Sequence, residues 1–96
     1  MVAPVLQWEV PIDDADHQLT FGGEVTGMFG TILGILPKLG KLEFWTWQDL
    51  SEDTSPPRTR TFHVFSTGVS IPENYTLVGT AAKNQGLVFH LFEKMA

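Results

Sequence analysis

The chain has 96 residues, a formal net charge of −5 from eleven acidic and six basic residues, and no cysteine. The acidic balance disfavours binding to the phosphate backbone of nucleic acids, and the lack of cysteine excludes disulfides and thiolate metal sites. The length allows a single domain, residues 1–96, with three Trp and seven Phe to fill its core.

The N-terminal residues do not have the pattern of a targeting segment. A secretory signal begins with basic residues and continues into an apolar run, and residues 1–9 show neither feature. The most apolar stretch, residues 28–36, ends at Pro37 and is far shorter than the roughly 20 residues that cross a bilayer. We therefore expect a cytoplasmic protein that contacts neither membranes nor nucleic acids.

The first part of the chain has the two-residue periodicity of β-strands. Residues 5–10 alternate between two faces until Pro11, and residues 17–21 alternate until a Gly-Gly pair. The acidic stretch between them, residues 13–16, has the composition of a turn. This pattern predicts that the first two strands form a hairpin.

A second hairpin is predicted from residues 24–36 and 41–48, joined by a turn at residues 37–40. Three glycines interrupt the first of these strands, which indicates bulges or bends. A short helix near residues 30–37 is the alternative, because apolar residues there also share one helical face.

The second half of the chain continues as strands. Residues 49–58 are polar and contain a Pro-Pro pair, which predicts an exposed loop. Residues 59–67 alternate cleanly, and residues 75–82 and 87–92 predict a last hairpin across a turn at 83–86. The sum is six or seven short antiparallel strands, typical of an all-β sandwich or barrel-like domain.

Four parts of the sequence are distinctive in their order: residues 8–14, residues 43–45, residues 60–68, and residues 78–81 with 87–93. Together they resemble a family of small uncharacterised β-rich proteins, a domain of unknown function, from actinobacteria and their tailed phages. The resemblance covers nearly the whole chain and is weakest at residues 29–41. It implies a small, phage-encoded product in the cytoplasm of an infected bacterium, and it implies no catalytic residue, since the family has no established activity.

The acidic turn offers ligands for Ca²⁺ or Mg²⁺. Asp13, Asp14 and Asp16 supply the hard oxygen atoms that these ions prefer. An EF-hand loop also needs ligands at fixed offsets, a central glycine and a distal glutamate, which this stretch does not have. Aspartate is common in turns because its side chain accepts hydrogen bonds from nearby backbone N–H groups. We interpret the stretch as a turn and not as a metal site.

Three histidines, His17, His63 and His90, lie on three separate predicted strands. Together with a carboxylate such as Glu43 they could form a metal site or an acid–base pair. No short histidine spacing supports this, and isolated strand histidines are more often hydrogen-bonded structural residues. The sequence also lacks a nucleophile elbow and a phosphate-binding loop. We expect no catalytic, cofactor or metal site, and therefore no enzyme.

Two predicted strands carry large apolar side chains on both faces, which is unusual for a sheet with one face in water. Three explanations are open: residues 32–39 cover the second face, a homo-oligomer buries it, or a partner protein binds it, since Trp is enriched at binding hot spots. The side chains concerned are Trp45, Trp47, Val88 and Phe92.

Arg58 and Arg60 follow the Pro-Pro pair. We predict that they belong, with the four apolar side chains above, to a surface that binds a partner. Guanidinium groups can bind a carboxylate or phosphate of a partner. The alternative is that they form exposed ion pairs with Glu52 or Asp53, each worth about 0–1 kcal/mol.

The sequence therefore predicts a non-enzymatic protein-interaction module, and the resemblance suggests a phage-encoded protein that acts on a host protein. The partner is another protein or a second copy of the chain. The main alternative is a small structural or assembly protein, virion-associated or homo-oligomeric. A hidden enzyme or metal binder that uses the three histidines is the third hypothesis.

Overall fold

A computed structural model describes residues 4–33, 40–49, 56–82 and 88–95. This part of the chain forms seven antiparallel strands and contains no helix, which confirms the all-β class. The strands are β1 (Val5–Pro11), β2 (His17–Phe21), β3 (Glu24–Leu33), β4 (Lys41–Asp49), β5 (Arg58–Ser66), β6 (Tyr75–Ala82) and β7 (Val88–Lys94).

The strands form two sheets. One has three strands in the order β1-β4-β3, and the other has four in the order β2-β5-β7-β6. Their inner faces meet in one core of fully buried side chains that both sheets supply. The arrangement is a small antiparallel sandwich, one of the two architectures that the spacing of the predicted strands left open. The buried core residues are Val10, Leu42 and Phe44 from the first sheet and Phe21, Phe62, Val64, Ala81 and Leu91 from the second.

Aromatic rings join the two sheets across this core. The Trp8 and Phe21 ring centroids are 4.6 Å apart in an edge-to-face arrangement, and those of Phe44 and Phe62 are 5.3 Å apart. Each such pair adds about 0.5–1.5 kcal/mol beyond the burial of its surface. Four aromatic side chains thus fix the spacing of the sheets.

The two later predicted hairpins are confirmed, because β3 pairs with β4 and β6 pairs with β7. The first predicted hairpin is wrong. β1 pairs with β4, and β2 pairs with β5. The acidic connection between β1 and β2 therefore crosses from one sheet to the other. A two-residue alternation determines which side chains share a face, but it does not specify which strand lies alongside.

The glycine-interrupted segment is a strand as far as Leu33, so residues 30–33 of the alternative helix are β-structure. Its register shifts between Val25 and Gly27 and again between Phe29 and Thr31, as the glycines predicted. Gly30, with a φ of +64°, supplies the second bulge.

Several predicted features lie outside the described residues. They are residues 34–37 of the alternative helix, residues 37–39 of the turn before β4, residues 50–55 of the polar loop, and residues 83–87 between β6 and β7.

One side of the sandwich is closed by a contact between β3 and β6, which belong to different sheets. The Thr31 hydroxyl donates a hydrogen bond to the carbonyl oxygen of Thr80 at 2.5 Å. Beside it, a Cβ atom on Gly79 would lie only 2.6 Å from Cγ2 of Thr31. The sheets approach this closely because residue 79 has no side chain.

Candidate functional site

The outer face of the three-stranded sheet carries a group of large apolar side chains turned away from the core. Strand register places Val5 beside Trp47, and Trp45 beside Phe29. Val5, Phe29, Ile32 and Trp47 are 52%, 49%, 48% and 51% exposed. With the half-buried Trp45 they form one surface, which we call the apolar face.

The strand alternation explains why these side chains share a face. In β4, the even-numbered residues Leu42, Phe44 and Thr46 are fully buried. Successive side chains in a strand point to opposite faces, so Glu43, Trp45 and Trp47 point outward. The sequence predicted this division of β4, and the burial of its side chains agrees with it.

The bulge in β3 shapes the middle of the apolar face. A Cβ atom on Gly30 would lie 3.2 Å from Cε3 of Trp45, so the indole packs directly on the β3 backbone. Nothing lies within 4 Å of a Cβ atom placed on Gly27, which pairs with Trp47. The apolar face is therefore closely packed at Gly30 and leaves space beside Gly27.

Charged side chains border the apolar face on one side. Glu9 and Glu43 are direct cross-strand neighbours, and Ile32 pairs with Glu43 from the other side. Nζ of Lys41 lies 3.1 Å from Oε2 of Glu9. Within the described part of the chain, Glu43 makes no ion pair. Two like charges placed directly opposite each other destabilise a sheet.

The structure divides the predicted interaction surface among three places. Only Trp45 and Trp47 lie on the apolar face. Val88 and Phe92 lie on the outer face of the other sheet, as their register with Ala82 and His63 shows. Arg58 and Arg60 lie in a third place, on the core-facing side of the four-stranded sheet. They are at its end, where β5 pairs with the last residues of β2.

The two arginines border a cleft of about 490 Å³ at the end of the sandwich. Arg60 donates from Nε and Nη2 to both carboxylate oxygens of Glu93, at 2.5 and 2.6 Å, and its guanidinium lies 5.8 Å from the centre of the Phe21 ring. Arg60 is thus held by a partner on β7, whereas Glu52 and Asp53 lie outside the described residues. Arg58 is exposed at the opening of the cleft.

A cluster of rings covers the outer face of the four-stranded sheet. His63 stacks on Phe65 with centroids 3.9 Å apart, and Tyr75 and Phe92 meet Phe65 edge-on at 5.3 and 5.4 Å. Phe65 is only 5% exposed as a result. This packing explains why the apolar side chain of Phe92 lies on the outer face of the sheet. It contacts another aromatic ring of the same chain there.

The acidic turn caps this ring cluster. Oδ1 of Asp16 lies 2.8 Å from Nδ1 of His63, and Oδ1 of Asp14, which has a φ of +57°, lies 2.9 Å from Nε2. The Tyr75 hydroxyl donates to Oδ1 of Asp16 at 2.7 Å, and Nζ of Lys94 lies 3.4 Å from Oδ2. The turn is therefore tied to β5, β6 and β7.

These contacts shift two pKa values in opposite directions. Hydrogen bonds from Tyr75 and then from His63 lower the pKa of Asp16 to about 2, because they stabilise the carboxylate. The same bond to Asp16 raises the pKa of Tyr75 to about 12, because it favours the neutral phenol beside a negative charge.

The remaining acid of the turn has a local role. Oδ1 of Asp13 accepts a hydrogen bond from the backbone N–H of Ala15 at 3.1 Å, which is the turn role that the sequence predicted. Nε2 of His17 lies 2.7 Å from the same oxygen, and this bond lowers the pKa of Asp13.

The three histidines do not form a common site. Register places His17 on the face of Phe62, opposite the face that His63 and His90 share. The carboxylates of the turn bind opposite nitrogens of His63, so they do not converge on one point. Among the described residues, no group of three or more acidic or histidine side chains is placed to hold a metal ion.

His63 and His90 differ in the chemistry of their partners. A carboxylate oxygen lies at each ring nitrogen of His63, at 2.8 and 2.9 Å. His90 lies between the hydroxyls of Thr67 and Thr80, at 2.9 and 3.0 Å, and a hydroxyl can donate or accept. Sequence reasoning missed the link between the turn and His63, because 47 residues separate Asp16 from His63 and no local spacing marks the pair.

Comparison with known proteins identifies a family and nothing more specific. Residues 1–96 match a family described as a domain of unknown function, DUF7352. No curated protein and no solved structure matches the chain. Within the described residues there is no helix long and apolar enough to cross a membrane.

Proposed function

We propose that this chain, which belongs to the DUF7352 family of domains of unknown function, is a non-enzymatic protein-interaction module that binds through its apolar face. One observation carries the proposal. Four large apolar side chains, Val5, Phe29, Ile32 and Trp47, are each about half exposed on one face of a single sheet. Contiguous exposed apolar surface of this kind marks interaction sites in soluble proteins.

The composition of the apolar face agrees with a binding role. Large aromatic side chains dominate the energetics of protein interfaces, and Trp is enriched at their hot spots. Trp45 is already held in place against the β3 backbone at Gly30, so little side-chain entropy is lost when a partner covers it.

The histidines support a non-enzymatic role. Both ring nitrogens of His63 and of His90 bind side chains of the same chain. General acid–base catalysis needs a ring nitrogen that can reach a substrate proton, and these contacts occupy both.

The resemblance to phage-encoded proteins supplies the second element of the proposal, which is the source of the partner. We propose a protein of the infected bacterium, met in its cytoplasm. The alternative, a structural or assembly role, would use the same exposed face to join copies of this chain.

Capture from a bacterial lysate tests the interaction, with the chain immobilised in three forms. They are the wild type, the double variant Phe29→Ser/Ile32→Ser, and the control Leu77→Ser. Leu77 is 55% exposed on the outer face of the other sheet, so this substitution removes exposed apolar surface away from the apolar face. We expect the wild type and the control to retain the same protein and the double variant to lose it.

Two results would contradict the proposal. Equal capture by all three forms would show that the apolar face does not bind the partner. Sedimentation equilibrium that finds a dimer in the wild type and a monomer in the double variant would favour the assembly role instead. Thermal unfolding of each form shows that the variants are folded.

A further inference from the structure

We infer that the partner of the apolar face presents a cation, an arginine above all, surrounded by apolar side chains. This inference rests on the proposed function and names the chemistry of its partner. It is carried by the position of Glu43 between Glu9 and Ile32 on the same face.

The first step concerns what a partner must cover. Glu43 pairs with Ile32 across the β3–β4 ladder, and directly opposite side chains in a sheet have Cβ atoms about 4.5–5.5 Å apart. In β4 it is also separated from Trp45 by a single residue, on the same side. A surface that buries Ile32 and Trp45 therefore covers the carboxylate of Glu43 as well.

The second step concerns the charge of that carboxylate. Burial of an ionised carboxylate without a counter-charge is strongly unfavourable, because the charge loses its hydration. Among the described residues of this face the cation is Lys41, and its amino group already lies 3.1 Å from Oε2 of Glu9. Glu9 adds a second negative charge directly opposite Glu43. A partner that brings a cation offsets the desolvation of Glu43 and weakens the repulsion between the two glutamates.

The third step selects arginine. A guanidinium can bind a carboxylate through two parallel hydrogen bonds and is more weakly hydrated than an ammonium group. It also stacks favourably on aromatic faces, and the indole of Trp45 lies in the same surface as Glu43. An arginine flanked by apolar residues thus matches Glu43, Trp45 and Ile32 together.

A second copy of the chain fits this surface less well. The chain has a net charge of −5, and two copies placed face to face would bring two Glu9–Glu43 pairs into one interface. The cation that each copy offers there, Lys41, is already held by Glu9. Charge complementarity therefore favours a basic partner over self-association.

Defined peptides test the inference. Three acetylated seven-residue peptides have the sequence Leu-Thr-Trp-Xaa-Trp-Thr-Leu, with Arg, Gln or Glu as the central residue. Each is titrated into the ¹⁵N-labelled full chain, and backbone amide shifts are followed by NMR. We expect the Arg peptide to shift the amides around Ile32, Glu43 and Trp45 and to bind at least roughly tenfold more tightly than the Glu peptide.

Charge variants of the chain complete the test. Glu43→Gln should remove most of the preference for the Arg peptide, and Glu73→Gln, an exposed carboxylate in the turn before β6, should leave it unchanged. The preference should also weaken as salt is added, because screening acts on the charge pair.

The outcomes separate this inference from the proposed function. If all three peptides bind the apolar face equally, or if Glu43→Gln changes nothing, the cation requirement is wrong and the interaction surface stands. If no peptide shifts these amides, the inferred chemistry is also overturned, and the capture experiment still decides the interaction by itself. Self-association that Glu43→Gln strengthens would overturn the basic partner in favour of a second copy.

Discussion

Oδ1 of Asp16 lies 2.8 Å from Nδ1 of His63, although 47 residues separate the two in the sequence. This contact ties the connection between the two sheets to the outer face of the four-stranded sheet. It also joins three elements electrostatically, since Tyr75 on β6 and Lys94 on β7 bind the same carboxylate. Two of the testable consequences below follow from this relationship.

The free energy of unfolding at acid pH should depend on Asp16. Its pKa is lowered to about 2 in the folded chain, so its contribution is complete above the ordinary value of 3.8 and is lost as the pH falls through about 2. The side chain is 36% exposed, and solvent screening limits the contribution to about 1 kcal/mol. Urea unfolding between these pH values should show a loss of stability in the wild type that is about 1 kcal/mol smaller in Asp16→Asn, because Asp13, whose pKa is also lowered, still contributes. The control Glu73→Gln should lose as much stability as the wild type. If Asp16→Asn loses as much stability as the wild type over this pH range, Asp16 does not stabilise the fold in this way.

The free energy of unfolding at alkaline pH should depend on Tyr75, the single tyrosine of the chain. Its pKa is raised to about 12 by the bond to Asp16, so the folded state favours the neutral phenol. The contribution is therefore complete below the ordinary value of 10 and is lost as the pH rises from 10 through about 12. Ultraviolet absorbance of tyrosinate measures the titration directly. Asp16→Asn should move it back toward 10, and a midpoint near 10 in the wild type would show that the bond is not formed.

The contact between β3 and β6 makes residue 79 intolerant of a side chain. Gly79→Ala places a Cβ atom 2.6 Å from Cγ2 of Thr31, whose hydroxyl is already bonded to Thr80. We expect the free energy of unfolding to fall by about 1–3 kcal/mol, as in other overpacked sites. The matched control is Gly27→Ala, where nothing lies within 4 Å, and it should be neutral or stabilising by up to about 1 kcal/mol. Urea denaturation of both variants checks this, and equal effects would show that the sheets separate easily at this edge.

Some features of the apolar face were predictable from sequence, because they depend only on period two. Leu42 and Phe44 face inward and Trp45 and Trp47 face outward whatever strands lie beside them. The other members of the predicted surface lie in two other places, and their surroundings do not follow from alternation alone. Phe92 is covered by a ring cluster whose members come from three strands, and that cover depends on which strands are neighbours.

The sequence by itself determined the all-β class, the two later hairpins and the face on which each β4 side chain lies. These follow from local alternation and from turns between strands that are adjacent in the chain. Only the tertiary structure decided that β1 and β2 belong to different sheets, that Asp14 and Asp16 bind His63, and that Glu43 lies between Glu9 and Ile32. The physical reason is that alternation specifies a face and not a neighbour. The neighbours are selected by the packing of the whole core, which brings together residues that are distant in the sequence.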